Sequence, residues 1–120
     1  MAFTGDEFLA VAESLIRGTP TEGDLRSAIS RAYYGAFLRA RDYCWQRGVT
    51  VDQTGRAHEQ VRQHFQRQMR RQLAADLLSL HLLRKNADYD IPFSKPNLRA
   101  ESSAAVHLAA TVIAAIDAGP

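Results

Sequence analysis

The stretch Leu83-Arg84-Lys85-Asn86-Ala87-Asp88-Tyr89-Asp90 puts two bases, two acids, an amide and a phenol at the end of a strongly apolar, helix-patterned run. An apolar helix has no structural need for such a group. Arg84 and Asp88 stand at i, i+4, so their charges can meet on one helix face. A guanidinium there offers a planar fork suited to a phosphate or a carboxylate. A second polar pair, Arg31 and Tyr34, stands at i, i+3 in Ser30-Arg31-Ala32-Tyr33-Tyr34 and shares a face beside the apolar stripe of Ala32, Tyr33 and Phe37. Read as structure alone, these residues are an ion pair near a helix end and polar contacts between two helices. An exposed pair of that kind contributes only about 0.3 to 0.5 kcal/mol. Stability alone therefore gives little reason for so many polar groups in one place.

The elements that must position them follow the helical period. Phe8, Val11, Ala12, Leu15 and Ile16 form one stripe, preceded by Thr4 and Glu7 at capping-box spacing and closed by Gly18 and Pro20. Thr21 and Asp24 resemble a second N-terminal cap. After them Leu25, Ile29, Ala32, Tyr33, Ala36, Phe37, Ala40 and Cys44 continue at spacings of three and four until Gly48. Gly48 to Gly55 reads as a loop, because Val49-Thr50-Val51 has no second strand to pair with. Ala57, Val61, Phe65 and Met69 mark a shorter third helix. Leu73, Leu77, Leu80, Leu83 and Ala87 define a fourth, which Leu78 and Leu82 widen enough to suggest a central helix with more than one neighbour. Ile91-Pro92-Phe93-Ser94-Lys95-Pro96 breaks it, since each proline disfavours helix in the residue before it and lacks a donor. An alanine-rich last helix runs from about Leu98 to Asp117. The expected fold is all-α: one domain over residues 1–120, an up-and-down four-helix bundle with an additional short helix.

The chain has 120 residues, 46% of them hydrophobic, enough for one core and too few for two. Of its 15 basic residues 13 are arginine, yet the formal net charge is only +2. That balance permits an RNA or nucleotide partner without requiring one. Cys44 is the only cysteine, which excludes an internal disulfide and a thiolate zinc cluster, points to a reducing cytoplasm, and reads as a buried inert thiol. The start of the chain lacks the pattern of a signal peptide, and no apolar run approaches the roughly 18 to 20 residues that span a bilayer. His58, His64, His81 and His107 form no i, i+4 pair and gather no acidic cluster, so neither a metal nor another cofactor is expected. Arg62 to Arg71 holds four arginines and no acid, a solvated helix end that could also meet RNA phosphates or an acidic protein surface.

Three ordered pieces, Ser30-Arg31-Ala32-Tyr33-Tyr34-Gly35-Ala36-Phe37, Gly55-Arg56-Ala57-His58-Glu59 and Leu83-Arg84-Lys85-Asn86-Ala87-Asp88-Tyr89, resemble the HEPN superfamily, the higher eukaryotes and prokaryotes nucleotide-binding domain, in its small stand-alone prokaryotic branch. The resemblance spans nearly the whole chain. It implies a helical bundle, commonly a homodimer, often paired with a nucleotidyltransferase protein in toxin-antitoxin or defence modules. Several branches are metal-independent ribonucleases whose site is an arginine with a histidine four to six residues further on. Arg84 matches the arginine, and Asn86 is a polar residue one place late. Where the histidine belongs stand Tyr89, Asp90 and Ile91.

Metal-free RNA cleavage needs a base for the 2′-hydroxyl, an acid for the leaving oxygen and positive charge on the phosphate. Arginine supplies the last, whereas a tyrosine, with an ordinary pKa of about 10, is a poor neutral-pH base. The leading expectation is therefore a module in which Arg31, Tyr34, Arg84, Asn86, Asp88 and Tyr89 line a polar cleft for a nucleotide, RNA or a nucleotidyltransferase. The alternatives are a ribonuclease toxin in which Arg84 works with His81, one turn before it, or with Tyr89 as base, and a ligand-free structural dimer whose polar network fixes helix register.

Overall fold

A computed structural model of the chain describes residues 4–89 and 97–119. These residues form five α-helices and no strand: α1 (Gly5–Leu15), α2 (Glu22–Gln46), α3 (Ala57–Arg67), α4 (Arg71–Tyr89) and α5 (Leu98–Ala118). The all-α bundle expected from the hydrophobic period is the fold observed. Its helices begin where the caps stand. The Thr4 backbone N–H donates to the Glu7 carboxylate at 3.0 Å. At α2 the exchange is reciprocal, Asp24 N–H to Thr21 Oγ1 at 3.1 Å and Thr21 N–H to Asp24 Oδ2 at 2.9 Å. Asn97 Oδ1 accepts from Ala100 N–H at 3.0 Å at the head of α5. Each bond satisfies a donor that a helix terminus would leave orphaned.

Two helices stop by the same device. After α2, Gly48 takes φ 76°, its N–H donates to Trp45 O at 3.0 Å, and Val49 N–H reaches back to Cys44 O at 2.9 Å. After α3, Met69 takes φ 61°, its N–H donates to Gln66 O at 3.0 Å, and Arg70 N–H reaches Phe65 O at 2.8 Å. Both are Schellman closures, which favour glycine at the left-handed position. Met69, expected to continue the apolar stripe of the third helix, is instead its exposed terminator. The turn into α4 at Arg71 leaves no residues for another helical turn.

The central element also differs from the expectation. α2, not α4, touches all four other helices. Its buried residues, among them Ala28, Ile29, Ala32, Tyr33, Ala36, Phe37 and Ala40, are spread around much of its circumference. α1 lies closest: a Cβ on Gly35 would stand 2.8 Å from Gly5 O, so only glycine allows this approach. On α4 the buried side is Leu73, Ala74, Leu77, Leu80, His81, Arg84 and Ala87. Leu78 and Leu82, expected to widen the buried face, are 40% and 51% exposed. The break expected at Ile91–Pro96 lies outside the described residues. Among the described residues no helix is long and apolar enough to cross a membrane.

Candidate functional site

α4 inverts the usual arrangement, exposing leucines while burying an arginine. A stripe of period 3.6 running through Leu73, Leu77 and Leu80 arrives next at Arg84 and Ala87, so Arg84 occupies a core position and is only 8% exposed. A buried cation must be well paired to be tolerated. Arg84 is not. Its Nη1 stands 3.5 Å from Asp88 Oδ2, and its buried Nε has no hydrogen-bond partner among the described residues. The guanidinium carbon lies 5.7 Å from the ring centre of Tyr33 and 5.4 Å from that of Tyr34, both on α2.

α2 and α4 run antiparallel here. Arg26 donates to Ala87 O at 2.8 Å, Ser30 Oγ stands 3.5 Å from Asp88 Oδ2, and Tyr33 packs on His81 with ring centres 5.1 Å apart. α3 adds a third side. His58, at its first turn, shares a helix face with Val61 and Phe65 and so points inward. Its ring lies 4.6 Å from that of His81 and 4.5 Å from that of Phe37. The Tyr33 hydroxyl hydrogen-bonds His58 Nδ1. Three helices thus bring Tyr33, His58, His81 and Arg84 into one cluster.

The electrostatics of the cluster follow from burial and from three nearby cations. Burial pushes the Tyr33 phenol well above its ordinary range, outweighing the opposite pull of Arg62 and Arg84. The phenol therefore keeps its proton and shares a hydrogen bond with His58 Nδ1. Burial, then Arg84, Arg62 and Lys85, hold His58 below the usual histidine value. His81 is pushed down to about 4, by burial first and then by His58, Arg84, Lys85 and Arg62. Its buried Nδ1 has no hydrogen-bond partner among the described residues. At neutral pH the cluster holds two uncharged imidazoles in a field of three cations, with Asp88 the carboxylate in contact with Arg84.

Of the residues expected to form the site, the structure joins Arg84, Tyr34, Asp88 and His81 and separates the rest. Arg31 is exposed, its guanidinium 5.2 Å over the Phe8 ring of α1, because the i, i+3 step to Tyr34 carries it past the α4 contact. Asn86 faces the other way, into a groove between α4 and α5 with Leu82, Leu83 and Leu108. Tyr89 is 73% exposed and lies outside the cluster. His58, not among the residues expected to form the site, is a full member of the cluster. The signal for it was a histidine on the buried Val61–Phe65 face, and what hid its role is that its partners come from α2 and α4.

Elsewhere the histidines behave as packing and surface groups: His64 lies half-buried beside Tyr43 and Phe65, and His107 is exposed. Cys44 is buried, and burial pushes its thiol up to about 11, which leaves it inert as a nucleophile. Among the described residues no three histidine, cysteine or acidic side chains gather as a metal site would require.

Comparison with protein-family models, with curated proteins and with solved structures finds no match for this chain.

Proposed function

We propose that this protein binds a phosphate-bearing nucleotide or the phosphodiester of RNA, with Arg84 as the anion-contacting group and His58 and His81 beside it. The observation that carries this reading is the under-paired burial of Arg84. A guanidinium whose Nε has no acceptor among the described residues, beside two imidazoles and within the field of Arg62 and Lys85, is a donor lacking an acceptor. A phosphate supplies acceptor oxygens and the missing negative charge, and arginine's fork matches its geometry. The likeness to the HEPN superfamily agrees with the same ligand class. It also supports a second copy of the chain as partner, for which exposed Leu78 and Leu82 offer apolar surface.

One further observation favours a second reading, metal-independent RNA cleavage. Two imidazoles 4.6 Å apart beside an arginine are the groups such a reaction needs. A neutral histidine takes the 2′-hydroxyl proton, a protonated one serves the leaving 5′-oxygen, and Arg84 neutralises the phosphorane. A bound phosphate would favour the protonated form of one of the pair.

The test is Arg84→Met, which replaces an under-paired cation by an apolar side chain of similar reach. Because Asp88 is exposed, removing Arg84 leaves no uncompensated buried charge, which is what makes the loss of one ion-pair partner costly. In fluorescence anisotropy with a labelled single-stranded RNA, the variant is expected to bind at least about tenfold more weakly, about 1.4 kcal/mol, while its melting temperature holds or rises. A large loss of stability with unchanged RNA affinity would make Arg84 a structural strut. Incubating wild type with RNA in EDTA decides the second reading: fragments ending in 2′,3′-cyclic phosphate support cleavage, and intact RNA leaves binding alone.

A further inference from the structure

A cleft of about 290 Å³ opens beside His58, between the outer half of α2, the loop at residues 52–54 and the first turn of α3. Tyr34, Phe37, Arg41 and Trp45 enter it from α2 at steps of three and four residues, so one helix face supplies three aromatic rings and a guanidinium. Trp45 is partly exposed, and Arg41 stacks on it with its guanidinium carbon 4.2 Å from the ring centre. Arg41 Nε is buried without a hydrogen-bond partner among the described residues. On the loop side Asp52 is held rigidly. Its N–H donates to Gln60 Oε1 at 2.8 Å, and Gln60 Nε2 donates to Asp52 Oδ2 at 3.0 Å. That leaves Oδ1 without a protein partner among the described residues.

Aromatic faces and a stacked guanidinium suit a planar, π-bearing ligand, and every nucleobase has such a face. The cleft is at the small end of ligand pockets, room for a single base or nucleoside and not for a dinucleotide. A fixed carboxylate oxygen accepts from an exocyclic amine, whereas the ring N–H of uracil is flanked by two carbonyl oxygens that a carboxylate repels. Tyr34 and His58 connect the two regions, since Tyr34 also lies under Arg84 and His58 also touches His81. Resting on the phosphate reading of the Arg84 cluster, we infer that this cleft is a nucleobase pocket: it stacks one base against the α2 aromatics and prefers bases that present an amino group to Asp52, namely guanine, adenine and cytosine, over uracil.

Trp45 is the only tryptophan in the chain, so its fluorescence reports on this cleft alone. The protein is titrated with the four nucleoside 5′-monophosphates. Ribose 5-phosphate is tested in parallel by competition against labelled RNA. The expected result is saturable quenching by the guanine, adenine and cytosine nucleotides, each bound at least about fivefold more tightly than the uracil nucleotide. Asp52→Asn is expected to shrink that preference to less than about twofold without changing ribose 5-phosphate affinity. Equal affinity for all four nucleotides, or binding without quenching, overturns the base pocket. If ribose 5-phosphate then still competes and loses its affinity in Arg84→Met, the phosphate reading stands by itself. Quenching by unphosphorylated nucleosides that is indifferent to Arg84→Met keeps the base pocket and removes the phosphate reading, whereas failure of every ligand to bind removes both.

Discussion

At the scale of single residues, the cluster is governed by which protonation states burial permits. His81 and His58 are both held neutral by desolvation and by surrounding cations. For His81 the folded value, about 4, lies below the unfolded value of 6.5. Between those two values the unfolded chain binds a proton that the folded chain refuses. The contribution of His81 to stability is therefore complete above about pH 6.5 and is lost as pH falls through that window toward 4. His58 shifts in the same direction and adds to the decline. Thermal melts from pH 7.5 to 4.5 should show a falling melting temperature, and His81→Leu should flatten the profile. An unflattened decline in that variant would mean that His81 is not the titrating group. A bound phosphate works in the opposite sense. It favours the charged imidazoles, so RNA affinity should rise as pH drops from 7.5 toward 6, while the fold is still intact.

Individual elements carry their own strain. The ends of α2 and α3 use one closure with different residues, Gly48 in the first and Met69 in the second. A side chain in the left-handed region costs about 1 to 2 kcal/mol, and the exposed Met69 side chain gains little packing in return. Met69→Gly relieves that strain but adds freedom to the unfolded chain. A net gain of about 0.5 to 1 kcal/mol is expected, read as a rise of about 2 to 5 °C in melting temperature. A lower melting temperature would show that the Met69 side chain contributes contacts outweighing its backbone strain. The same closure matters for the site, because the turn after Met69 sets the direction in which α4 returns past α3 and hence brings His81 against His58.

For the whole molecule, the feature with no intramolecular explanation is the apolar strip on α4. Leu78 and Leu82 are exposed, and Leu82 borders a groove of about 320 Å³ with Leu83, Ala104 and Leu108. In water such a strip favours association. Sedimentation velocity at micromolar concentration should give a dimer, and Leu82→Glu a folded monomer, because a carboxylate in a symmetric interface meets its own copy. A wild-type monomer at high concentration would remove the second copy from the proposal. Since Asn86 lines the same groove and Arg84 lies on another side of α4, the monomeric variant should keep its nucleotide affinity.

The order of helices, their caps and the all-α fold were legible along the chain, because hydrophobic period, capping residues and glycine stops are local properties of backbone and solvent. So was the polar group, Arg84 within it, that ends the apolar run of the fourth helix, since residue types need no coordinates. Three things were not. Which side of α4 is buried depended on its neighbours: Leu83 and Arg84 are adjacent in sequence, and the packing against α2 and α3 selected Arg84. Which helix is central depended on the close approach of α1 at Gly5 and Gly35 and on α5 covering another side of α2. The pairing of His58 with His81 and Tyr33 joins residues 23 to 48 positions apart, on three helices, and spacing rules reach only one or two turns. Periodicity places the helices along the chain, but only the packing of one helix on another decides which side of each is buried and which side chains meet.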